Sequence, residues 1–75
     1  MIYCVRFSEV VDYLSSIGFR LVTIIEGQVI FRGVNNELAI IREPNVFEYL
    51  PESIVNDAFY AAHLNPPQWN VFFGD

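Results

Sequence analysis

His63 is the only side chain in this sequence that ordinarily titrates near neutral pH, and Cys4 is the only thiol. Together they could form a nucleophile and its base, and either could ligate a metal. Neither stands in a recognisable constellation. His63 therefore reads as a helix-terminal histidine favoured by the helix dipole, and Cys4 as a small apolar residue of an N-terminal arm. Asp12, Glu48, Glu52 and Asp57 could furnish an acid–base pair or an oxygen-ligated metal site. No spacing singles out two of them, and solvated helix faces account for all four. Arg20 and Arg32 fall close together across an expected hairpin, where they could hold an anion; cross-strand pairing with an acidic residue is the expected arrangement. There is no glycine-rich dinucleotide or phosphate loop. No catalytic residue, metal or cofactor is expected.

The element that must position these groups is residues 18–42, which read as two joined β-hairpins. Residues 19–25 are rich in β-branched and aromatic side chains. Glu26-Gly27 gives a tight reversal, Asn35-Asn36 a second one, and residues 37–42 a third strand stopped by Pro44. Two-residue turns at both reversals place Val22, Ile24, Val29, Phe31, Leu38 and Ile40 on one face. The other face then carries Phe19, Leu21, Thr23, Ile25, Ile30 and Ile41. Both faces are apolar, so something must cover the second one.

Helices flank the sheet. Ser8 is the expected N-cap of the first, with Val10, Leu14 and Ile17 on one stripe, Val11 beside it, and Gly18 as the stop. Residues 43–50 read as a loop whose Val46, Phe47, Tyr49 and Leu50 tuck against the body. Pro51 starts the second helix, with rows Ile54, Ala58, Ala61 and Val55, Phe59, Ala62, and Asn65 with Pro66-Pro67 ends it. The domain is single, with a core over residues 8–65 and an aromatic C-terminal segment over 66–75. In that segment Trp69, Val71 and Phe73 alternate as in a strand, and a solvated tail would not carry Trp69, Phe72 and Phe73 without cost. The segment is expected either to cover the second sheet face or to dock onto another copy. Trp69, Val71, Phe72 and Phe73, with Phe19, Leu21, Ile30 and Ile41, are the expected interaction residues. The fold class is α+β, of order αβββα, with two helices on one face of a three-stranded antiparallel sheet.

Seventy-five residues hide only about 60% of their unfolded surface, so the core is marginal. The 53% apolar content suggests area left for a protein partner. All four cations are arginines, and the net charge is −5. That argues against binding nucleic acid or an anionic membrane surface. A lone cysteine, no basic leader and no stretch of transmembrane length point to a cytoplasmic protein.

Leu14-Ser-Ser-Ile-Gly-Phe19, Leu21-Val22 and Ile30-Phe31-Arg32, followed by an apolar strand and a proline-initiated helix, resemble the HicA toxin family. The resemblance covers residues 8–65 and implies a fold like the double-stranded-RNA-binding domain. Aligned on Gly18 and Ile30, Gln28 stands where that family has its catalytic histidine, and Glu26-Gly27 replaces its Gly-Ser. Glutamine has no titratable group for general-base work. The resemblance therefore implies the scaffold rather than the ribonuclease activity. The expected function is that of a non-enzymatic interaction protein, a homodimer or bound to a protein partner, such as an accessory or inhibitory factor of a mobile element. A diverged messenger-RNA endoribonuclease of a toxin–antitoxin system is the alternative, with His63 as its base.

Overall fold

The computed structural model describes residues 2–42 and 48–74. The chain is α+β, with two helices and two three-stranded antiparallel sheets. Strand β1 (Ile2–Arg6) leads directly into helix α1 (Phe7–Ser16). The meander follows as β2 (Arg20–Ile25), β3 (Gln28–Arg32) and β4 (Leu38–Arg42). Then come β5 (Tyr49–Pro51), helix α2 (Glu52–Ala61) and β6 (Phe72–Gly74). The expected αβββα order is present within this list. The expectation that Val46 and Phe47 tuck against the body, and the stop at Pro44, lie outside the described residues.

The second sheet, ordered β5-β1-β6, is the main departure from the sequence reading. What read as an arm, the end of a loop and a tail are three strands. Val5 stands opposite Leu50, and Tyr3 opposite Phe73. The tail therefore does not lie on the second face of the meander. It pairs with the N-terminal strand of its own chain.

Helix α1 starts at Phe7, with Arg6 rather than Ser8 at the N-cap position. The Phe7 amide donates to the Glu48 carbonyl at 2.9 Å, so a distant backbone group supplies the partner that a capping side chain would give. The C-terminus follows the sequence: Gly18 at φ +94° lets the Phe19 amide reach the Leu14 carbonyl at 2.8 Å. Helix α2 ends the same way on a non-glycine residue. His63 sits at φ +60°, and the Leu64 amide donates to the Phe59 carbonyl at 2.8 Å.

Each helix touches both sheets, α1 through β1 and β2, α2 through β1 and β4. Between them lie Val5 and Leu50, Val10 and Leu14, Val55, Ala58 and Phe59, and Val29, Phe31, Ala39 and Ile41. Ile17 falls outside this core, because it is the residue that leaves the helix.

Trp69 closes one end. Its ring meets Phe59 edge-on at 5.4 Å and Tyr13 edge-on at 5.7 Å, a favoured geometry for ring quadrupoles. Its indole N–H donates to Asn56 Oδ1 at 2.9 Å, and the following amide, Asn70, donates to Glu9 Oε2 at 3.2 Å. Both helices are thus tied to the tail. Trp69→Ala should cost about 3–5 kcal/mol, measured by urea unfolding followed by far-UV circular dichroism. A loss below about 1 kcal/mol would be a surface residue's value and would contradict this packing.

Candidate functional site

The register of the meander decides which side chains reach solvent. Glu26 and Gly27 both have positive φ, +48° and +76°, so β2 and β3 join through a two-residue turn closed by Ile25 and Gln28. The second reversal differs from the expectation. The Gly33 amide donates to the Glu37 carbonyl at 2.8 Å, enclosing Val34, Asn35 and Asn36, with Asn36 left-handed at φ +64°. Three residues in the turn instead of two move every β4 side chain to the opposite face. Val29 and Phe31 consequently face Ile41 and Ala39, not Ile40 and Leu38. A bulge between Leu21 and Thr23 also brings Leu21 level with Phe31, on the helix side of the sheet.

The outer face is read from the same pairs. It comprises Arg20, Arg32 and Leu38 in one row, Thr23, Ile30 and Ile40 in the next, and Ile25, Gln28 and Arg42 in the third. The expectation of two wholly apolar faces is corrected: this one has an aliphatic middle with guanidinium groups at both ends. Neither helix nor tail covers it. Arginine stems can shield part of an aliphatic surface while their heads stay wet, and Ile30 and Ile40 are half-buried. On its α2 side, Leu38, Ile40 and Arg42 border a cleft of about 600 Å³ closed by Ile54, Asp57, Ala58 and Ala61.

Strand β2 forms one edge of this sheet, and all six of its residues are exposed. Leu21, Ile24 and Ile25 keep 43–53% of their area in water. The strand has neither lysine nor proline, two devices that commonly protect an edge.

The eight expected interaction residues do not form one surface. Phe19, Ile41 and Trp69 are buried in the chain's own core. Phe72 is half-buried beside Tyr49, ring to ring at 4.9 Å, with the Arg6 guanidinium 5.8 Å from its centre. Val71 and Phe73 are exposed at the second sheet, where Phe73 stacks on Tyr3 at 4.5 Å. Leu21 and Ile30 remain on the meander, on opposite faces.

The titratable candidates are dispersed. Cys4 lies in β1, opposite Pro51 and Phe72, with its thiol 3.9 Å from the Ile2 carbonyl. His63 ends α2. Among the described residues no cluster of His, Cys, Asp or Glu could hold a metal ion, and no helix is long and apolar enough to cross a membrane. Of the four arginines, Arg6 belongs to the second sheet, over Tyr49 at 5.3 Å, and the other three share the outer face. Arg20 and Arg32 stand opposite each other, in place of the expected acidic cross-strand partner. Sequence reasoning set Leu38 and Ile40 with Val29 and Phe31 and so missed their surface with Ile30 and Arg42, because the extra turn residue is what brings them to that side. Comparison with protein-family models, with curated proteins and with solved structures returns no match.

His63 is exposed and holds a backbone conformation that costs an L-residue about 1–2 kcal/mol. His63→Gly should raise stability by about 0.5–1 kcal/mol, read as a higher melting temperature. An unchanged or lower value would show that the imidazole makes a compensating interaction.

Proposed function

We propose that the chain is a non-enzymatic interaction protein that works as a homodimer joined edge to edge through β2. The observation that supports this reading is the free edge itself. The closing pair of the first turn, Ile25 and Gln28, exchanges both backbone hydrogen bonds. The alternation that follows turns the amide and carbonyl of Ile24 towards the free side. Those groups and the exposed aliphatic side chains of β2 form a template for a further strand. The bulge falls between Leu21 and Thr23 and leaves Thr23 to Ile25 regular.

A second copy satisfies this edge in one particular register. Antiparallel pairing about Ile24 sets Ile24 against Ile24 on the two-fold axis, where each satisfies the other's free amide and carbonyl, and places Thr23 of each copy opposite Ile25 of the other, both on the outer face. The likeness to HicA toxins extends, in this reading, to the scaffold alone. Gln28 sits between Ile25 and Arg42, neither of which can activate a hydroxyl.

Light scattering at micromolar concentration should give twice the monomer mass. Ile24→Lys should yield a monomer with unchanged circular dichroism, because it would set two ammonium groups against each other on the axis of the edge pairing. A parent protein that stays monomeric, or an Ile24→Lys variant that stays dimeric, would sink this register.

A further inference from the structure

We propose that the outer face of the meander receives an acidic amphipathic segment of another protein. The charge arrangement carries the inference. Arg20 and Arg32 stand opposite each other across β2 and β3, and Arg42 marks the far end of the same face. Like charges placed directly opposite destabilise a sheet. Among the described residues none of these three arginines has an ion pair. Three of the four cations of a chain with net charge −5 are therefore gathered on one surface with no carboxylate in ion-pair contact among the described residues, Asp57 lining the same cleft as Arg42 without bridging to it. An anionic partner would turn that local cost into attraction.

The chemistry of the surface between the arginines selects the partner. Ile25, Ile30, Leu38 and Ile40 form an aliphatic floor, which continues into the cleft beside Ile54 and Ala61 of α2. A helix with a leucine-type stripe could lay that stripe on this floor, with carboxylates beside it reaching the guanidinium forks. RNA would offer the same anionic charge. Single-stranded RNA is held largely by stacking bases on aromatic rings, and none of the described residues of the face is aromatic. A second copy laid face to face would set arginines against arginines. Acidic protein is the partner that meets all of these constraints. The outer face is present in the single chain, so it can be occupied with or without the edge-to-edge dimer.

The probe is a fluorescein-labelled synthetic helix with leucines at i, i+3, i+4 and i+7 and glutamates on their flanks, compared with the same peptide carrying glutamines. Fluorescence anisotropy should show the glutamate peptide binding about tenfold tighter than the glutamine peptide, with the difference shrinking as salt is raised. Arg32→Gln combined with Arg42→Gln should lower that affinity by about tenfold with no loss of melting temperature. In the nitrogen–proton spectrum of the labelled protein, the shifted amides should cluster at Ile30, Ile40 and Arg42. Equal binding of the two peptides, binding of neither, an unaffected double variant, or tighter binding of a single-stranded RNA oligonucleotide would each overturn the proposal.

Discussion

One aromatic wedge holds the two halves of this domain together. Trp69 enters edge-on between Phe59 of α2 and Tyr13 of α1, and its indole N–H ends on Asn56. Helices of ten residues are marginal alone in water. In this chain they are fixed by what they bury, and the last large piece of that burial comes from the tail. The chain continues past the wedge into β6, which pairs with β1, so the two ends of the sequence close one sheet. A tail used in this way is not available to screen the meander.

The consequence is a division of labour between two sheets. The β5-β1-β6 sheet contributes Val5 and Leu50 to the core, and its other side carries Arg6 against the rings of Tyr49 and Phe72. The meander gives Val29, Phe31, Ala39 and Ile41 to the same core, and no helix or strand among the described residues covers its opposite face. Small backbone details set that outcome. Asn36 in the left-handed region adds one residue to a turn, and one residue is enough to exchange the two faces of β4. With Ala39 and Ile41 inside, Arg42 is outside beside Ile40.

Signals in the sequence are legible where the physics is local. Gly18 ends α1, Glu26-Gly27 turns the first hairpin, and Val55 with Phe59 marks the buried stripe of α2. The second sheet is not legible in the same way. Its strands are three to five residues long, too short to show a period, and their partners lie more than 40 residues apart in the chain. The alternation of Trp69, Val71 and Phe73 identifies a strand-like tail but does not say which strand it will meet. The second turn misleads for a subtler reason. Asn35-Asn36 suits a two-residue turn and a three-residue one equally, since both need a residue tolerant of positive φ. The outer face inherits that ambiguity, and with it the grouping of the three arginines.

Trp69 is the only tryptophan, so its fluorescence reports on the wedge and on nothing else. If the tail is an integral part of the core, the Trp69 emission and the far-UV circular dichroism must follow a single transition in urea, with one midpoint and one slope. An emission maximum that shifts to the solvent-exposed value well before the helices and sheets melt would contradict this: the tail would be a detachable flap, and the wedge would not be what joins the two halves.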